Sequence, residues 1–256
     1  LFLLLLAGVL YAGEVPRLSP LPERVMEERV PLSGQWWFNP APEAEFWEKE
    51  TVKLWKPIEV PGEWVMQGFE VEKGKAAGYF RTFTVPASWQ GKRIKLRCNA
   101  IYSDARVYIN GQKAGSHLGG FTAFELNVTD WVRCGAENRM AVAVTSETVA
   151  DSTSNASRYA VHPLGGISRD LYLFALPETN LSLFHVSTAF DSTYTDATLV
   201  AEVDITHEGK TASGKYQLAF ELKDAEGRPV RLKDDRLKLR ELAAGETGKL
   251  TVRFPV

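Results

Sequence analysis

Short segments of alternating apolar and polar residues recur between turn signals along nearly the whole chain, and this limits the available folds more than any other feature. "GYFRTFTVP", "RIKLRCNA", "ARVYINGQKAG", "FTAFELNVT", "NRMAVAVTS" and "RDLYLFAL" follow one another at near-regular spacing. Arg106-Val107-Tyr108-Ile109 and Arg139-Met140-Ala141-Val142 carry the period-two signature of strands buried on one face. In "YINGQKAG", Asn110 and Gly111 sit between two strand-like arms, the strongest short-range signal for a hairpin. Helical character is confined to "PEAEFWEKE". Many short strands with almost no helical periodicity predict an all-β chain built of sandwiches.

The alternation continues beyond a change of composition. All seven tryptophans (Trp36, Trp37, Trp47, Trp55, Trp64, Trp89 and Trp131) precede residue 132. In "FALPETNLSLF", Pro177 and the polar residues Glu178 to Asn180 stop one strand before another begins at Leu181. "LSLFHVSTAF", "ATLVAEVDIT", "KYQLAFELKD" and "GKLTVRFPV" follow, with Leu199, Ala201, Val203 and Ile205 facing one way and Glu202, Asp204 and Thr206 the other. That is the pattern of an immunoglobulin-like sandwich, which takes about 100 residues. Fewer follow Leu181 here, so the reading is of an incomplete sandwich in a piece of a longer protein.

At 256 residues the chain is long enough for two cores. Hydrophobic residues at 45% and charged residues at 24% exclude a disordered chain and a bundle of membrane helices. Thirty basic against 32 acidic residues leave no field to attract phosphate backbones, so nucleic acid is not an expected partner. "LFLLLLAGVLYA" is too short to span a bilayer and ends in small residues. It reads as the latter part of a secretion signal cleaved after Ala12, which predicts an exported protein, periplasmic or extracellular, with no membrane attachment after cleavage. Two cysteines do not make a disulfide framework; Cys98 alternates inward with Ile94 and Leu96, and Cys134 sits in a turn. The predicted organisation is a partial signal over 1–12, a linker over 13–31, a first sandwich over 32–178 and a second, truncated at its C-terminal end, over 179–256.

"GQWWF", "VPGEWVMQGF", "GYFRTFTVP", "DARVYINGQKAGSHLGGFTAFELNVTDWV", "GAENRMAVAV" and "GGISRDLYL" resemble, in order and spacing, the N-terminal part of glycoside hydrolase family 2, which includes β-galactosidases, β-glucuronidases and β-mannosidases. The resemblance runs from Leu32 to about Leu176, and the segment after it resembles the family's immunoglobulin-like second domain. It implies a jelly-roll sugar-binding-type domain, then the second sandwich, then a (β/α)8 barrel carrying two catalytic glutamates. Such enzymes hydrolyse terminal β-glycosidic bonds with retention, using two carboxyl groups about 5–5.5 Å apart. The sequence contains no Asn-Glu dipeptide, the local signature of the family's acid/base glutamate. No catalytic residue is therefore expected in this chain. No cofactor is expected either, and no metal, because His117, His162, His185 and His207 are scattered. The implied partners are a carbohydrate substrate, reached through the parent enzyme, and the protein's own C-terminal barrel. A homo-oligomer is left open.

"HPLGGISRDLYLF" holds the residues of most interest. The resemblance places Gly165 and Gly166 where a loop near the active-site mouth enters the last jelly-roll strand, an architectural role suited to residues that tolerate positive φ and close backbone approach. Arg169 reads either as an arginine held against a neighbouring domain or carboxylate, or as an exposed strand residue. Asp104, ahead of the Asn110-Gly111 hairpin, reads as a turn cap or hydrogen-bond partner. In some family members an acid just before the glycines touches the terminal sugar. Here Ala160 and Val161 stand near that place, which leaves Arg158, Tyr159 and His162 as candidates for the substrate rim. "GFEVEKGKAAGYF" also replaces a longer loop that bears a substrate-facing asparagine in β-galactosidases, so galactose is less firmly implied. Trp36 and Trp37, as strand neighbours, must point opposite ways. Two functions fit: the N-terminal non-catalytic region of an exported family 2 hydrolase of the β-galactosidase type, or a non-enzymatic carbohydrate-binding or adhesion module on the same sandwich.

Overall fold

The computed structural model describes residues 17–256 apart from Thr51, Asn155 and Val161. The signal read over residues 1–12 and the first part of the linker lie outside the described residues. The protein is all-β. Strands β1 (Val30–Pro31), β2 (Gly34–Asn39), β3 (Lys56–Val60), β4 (Ala76–Thr84), β5 (Arg93–Cys98), β6 (Asp104–Ile109), β7 (Gln112–Leu118), β8 (Phe124–Asn127), β9 (Glu137–Thr145) and β10 (Leu171–Leu176) form two antiparallel sheets. One has the order β3-β2-β4-β9-β6-β7 and the other β1-β10-β5-β8. Between them lie the inward residues of both, among them Trp36, Phe38, Tyr79, Leu96, Val142 and Leu173. Trp36 is buried, and its indole N–H donates to the Leu32 carbonyl at 2.8 Å, whereas Trp37 is 45% exposed on the opposite face.

Phe46, Trp47 and Trp55 lie over the outer face of the larger sheet, where they pack with Phe80, Tyr108, Ala141 and Ala143. Trp47 stacks on Tyr108 with ring centroids 4.2 Å apart. The helical character of "PEAEFWEKE" contracts to one 3-10 turn over Phe46–Glu48, because Glu45 takes a left-handed conformation immediately before it. Helices α1 (Glu23–Glu27), α2 (Val149–Ser154) and α3 (Ala156–Tyr159) have no counterpart in the sequence reading, since none of them carries an apolar stripe long enough to register.

The hairpin turn joins β6 to β7 with both central residues at positive φ, 51° at Asn110 and 85° at Gly111, which matches the right-handed twist of the two strands. Asn110 also knits the hairpin to the next loop. Its Nδ2 donates to the Trp131 carbonyl at 2.7 Å and to Asn138 Oδ1 at 2.9 Å, and its Oδ1 accepts from the Arg139 N–H at 2.9 Å. Cys98 and Cys134 are both free thiols.

The second sandwich pairs β11 (Thr179–Phe190), β12 (Ala197–His207) and β17 (Thr247–Pro255) in the order β11-β12-β17. Against this sheet lies the pair β13 (Tyr216–Ala219) and β16 (Arg236–Leu239), and β14 (Leu222–Lys223) pairs with β15 (Pro229–Val230) in a separate two-stranded ribbon. Val203, Ile205 and Leu242 centre its core. Ion pairs run from the first sandwich and the segment before it to the second. Lys95 reaches Glu208 at 3.0 Å and Arg17 reaches Asp204 at 3.6 Å, while Arg93 holds Glu178, in the joint between β10 and β11, at 3.3 Å.

Candidate functional site

At one end of the first sandwich several loops are drawn together by main-chain hydrogen bonds to the Gly-Gly-Ile stretch. The Gly62 N–H donates to Ile167 O at 2.8 Å, and Trp64 N–H to Gly165 O at 3.2 Å. Tyr102 and Gly166 exchange a pair of bonds at 2.8 and 3.2 Å. The close approach explains the two glycines. A Cβ at position 165 would stand 2.0 Å from Trp64 Cζ2, and one at 166, where φ is +119°, would meet Tyr79 Oη at 2.8 Å and the Gly62 carbonyl at 3.0 Å. Burial raises the Tyr79 phenol pKa far above its ordinary value, so the ring is a neutral wall of this junction.

The side chains above this junction are polar and aromatic. His162 Nε2 lies 2.7 Å from Glu63 Oε2, both half-buried, which ties the segment before the glycines to the loop after β3. The Tyr102 hydroxyl donates to Asp151 of α2, and Phe121 stands edge-on to the Tyr102 ring with centroids 5.3 Å apart. Thr148 organises the start of α2, accepting from Ala150 N–H at 3.2 Å and lying 2.6 Å from Ser103 Oγ. His117 stacks on Phe124 at 4.3 Å and is 2.9 Å from Thr122 Oγ1; burial lowers its pKa, favouring the neutral ring.

Among the residues singled out in the sequence, Arg158 and Tyr159 lie on α3 and face solvent, while His162 turns back onto Glu63. Asp104 opens β6 and pairs with Arg106 at 3.3 Å. Arg169 is exposed, and its N–H donates to the Ala100 carbonyl at 3.3 Å. Asn110 and Gly111 belong to the hairpin rather than to this loop cluster. His185 is exposed on β11, and His207 is buried between Thr179 Oγ1 and the Thr211 carbonyl, each at 2.7 Å. Among the described residues no group of three or more His, Cys, Asp or Glu is placed to hold a metal ion. Glu63, Tyr102, Phe121 and Asp151 were not singled out. Glu63 lies inside the quoted motif "VPGEWVMQGF", and Asp151 stands nine positions before the alanine at the place where the family expects an acid. The arrangement offers hydroxyl, carboxylate, imidazole and ring faces, the groups that hold a sugar by hydrogen bonds and stacking.

Two facing antiparallel sheets, closed at one end by such a loop cluster and followed by a second sandwich, define an all-β module of two sandwiches. Residues 70–177 match the family described as glycosyl hydrolases family 2, sugar binding domain. This match, with the relatives that follow, supports a glycoside hydrolase family 2 N-terminal region. A β-galactosidase of Priestia megaterium is 26% identical over 203 residues, 68% of this chain and 19% of the relative. A β-galactosidase of Thermoanaerobacter pseudethanolicus is 32% identical over 54% of this chain and 18% of its own length. A β-glucuronidase of Paenibacillus borealis is 27% identical over 86% of this chain and 38% of its own length. The solved β-glucuronidase of Bacteroides uniformis superposes with a TM-score of 0.72 at 25% identity, covering 90% of this chain and 28% of that one. The chain thus spans less than two-fifths of the length of each of these proteins.

Proposed function

We propose that this chain forms the substrate-rim and scaffold portion of an exported family 2 glycosidase of the β-galactosidase type. In this reading the protein cleaves terminal β-glycosidic bonds with retention, and the nucleophile and acid/base carboxylates are carried by a barrel outside these residues. The observation that carries it is the agreement with β-galactosidases and β-glucuronidases across both sandwiches. Export is supported by the apolar run "LFLLLLAGVLYA". The first sandwich supplies the loop cluster around Gly165, and the second serves as its spacer to the barrel. Glu63 and Asp151, engaged by His162 and Tyr102, serve binding rather than bond cleavage in this scheme.

Two measurements test this. The purified 256-residue chain is expected to release no chromophore from aryl β-galactosides or β-glucuronides above the buffer rate. Turnover that co-purifies with the chain and disappears in Glu63→Gln or Asp151→Asn would place the chemistry here and overturn the scheme. In the whole glycosidase, Arg158→Ala is expected to lower kcat/KM roughly ten- to hundredfold, the worth of a lost charge-assisted hydrogen bond, with an unchanged Tm because the side chain faces solvent. His162→Ala is expected to lower both, because it also releases Glu63. Unaltered kinetics in both variants would remove this loop from the rim.

A further inference from the structure

The outer face of the smaller sheet is closed by the segment that precedes β1. Leu171 and Leu173 of β10 point into the core between the sheets, so Tyr172, Phe174 and Leu176 point away from it, yet none of these three is more than 4% exposed. Leu21 and, from α1, Val25 and Met26 pack over them. Beside this row the same face of β5 carries Arg93, Lys95 and Arg97. Each meets a carboxylate from a different part of the molecule: Glu178 in the joint, Glu208 in the second sandwich and Glu125 on β8. Ser19 threads between the last two pairs and is buried. Its N–H and hydroxyl donate to the Glu125 carboxylate at 3.1 and 2.7 Å, its carbonyl accepts from Arg97 at 2.8 Å, and its hydroxyl oxygen accepts from Lys95 Nζ at 3.3 Å. Two residues earlier Arg17 reaches Asp204 on β12.

We propose that residues 17–28 are a clasp: docked, they couple the second sandwich to the first, and they open without unfolding the first sandwich. α1 is five residues long, has no side-chain cap and buries none of its residues, so it is helical only while it lies on β10. Ser19 is held by side chains of other elements rather than by a strand ladder, and segments with few main-chain bonds and little burial open at the lowest cost. Lys95 makes that opening felt elsewhere, because one ammonium holds both Ser19 and Glu208. When the strap leaves, water reaches the Lys95–Glu208 pair and weakens it, and Arg17 is carried away from Asp204. The second sandwich is then loosened at two ties in one step.

Hydrogen exchange read by mass spectrometry on the 256-residue chain tests this. Ser19→Pro removes both donors to Glu125 and touches nothing in the second sandwich. It should speed exchange at least about tenfold in peptides from residues 21–28 and also in those from β12, while β4 and β9 keep the parental rates. Arg17→Glu, which sets an acid against Asp204 and leaves Ser19 in place, should speed exchange in β12 and leave residues 21–28 as in the parent. If Ser19→Pro loosens only residues 21–28, the strap is a passive cover; if it changes no rate, Glu125 does not hold the strap. Either result overturns the proposal, as does faster exchange in β4 and β9, which would make the strap part of the first sandwich's own folding unit.

Discussion

Gly165→Ala should be among the most destabilising single-methyl additions in the molecule, costing about 3 kcal/mol or more. The new Cβ would fall 2.0 Å from Cζ2 and 2.3 Å from Cε2 of Trp64. That indole is almost wholly buried and packs near the ring of Phe38, with centroids 6.0 Å apart, so it has no room to retreat without moving the core behind it. The loss should lower Tm by about 6–12 °C and alter the near-ultraviolet circular dichroism of the tryptophans. Gly214→Ala is the matched control. Nothing lies within 4 Å of its added Cβ, and its main chain is not left-handed. It should be neutral or slightly stabilising, because alanine restricts the unfolded chain. A Gly165→Ala loss below about 1 kcal/mol would mean that Trp64 can shift freely, and the packing argument for the Gly-Gly pair would fail.

Asn138→Ala should cost a comparable amount for a polar reason. The side chain is fully buried, and all its bonding capacity is used. Oδ1 accepts from Asn110 Nδ2 at 2.9 Å and from the Arg133 N–H at 2.7 Å, while Nδ2 donates to the carbonyls of Arg133 at 2.9 Å and Ala136 at 3.0 Å. Alanine strands several of these partners out of reach of water, and each stranded group costs about 1–3 kcal/mol. We expect a loss of about 3 kcal/mol in urea unfolding with an unchanged m-value. Asn127, whose Oδ1 accepts from Thr129 N–H at 3.1 Å on an exposed turn, is the comparison. Its alanine variant should lose less than about 1 kcal/mol, since water replaces the lost partner. Equal effects at the two asparagines would show that the buried network contributes nothing beyond an ordinary turn.

The strands were legible because a sheet writes its period into the sequence: Arg93 to Cys98 alternates outward and inward as "RIKLRC" reads. The Asn110-Gly111 turn was legible for a similar reason, since few residues other than asparagine and glycine accept positive φ on both sides of a two-residue loop. The helical segments α2 and α3 were not. "VADSTS" is held by local hydrogen bonds such as Ala150 N–H to Thr148 Oγ1 and Thr153 Oγ1 to the Val149 carbonyl, and "ASRY" is a single turn, so neither carries apolar spacing to detect. The loop cluster was only half legible. The motif "VPGEWVMQGF" marked Glu63 as part of a familiar stretch, but its partner His162 lies 99 positions away. Likewise nothing near Tyr102 announces Asp151, because contacts between loops are set by the sheets that carry them.

The passage from β10 to β11 leaves only Pro177 and Glu178 between the two strands, and Glu178 is itself held by Arg93. Two residues span about 7 Å at full stretch, and one of these has its φ fixed by its ring. With so short a joint, whatever displaces the start of the second sandwich is felt first by the strand that follows the Gly-Gly turn, because Glu178 and Glu208 are tied to Arg93 and Lys95 on β5, the neighbour of that strand.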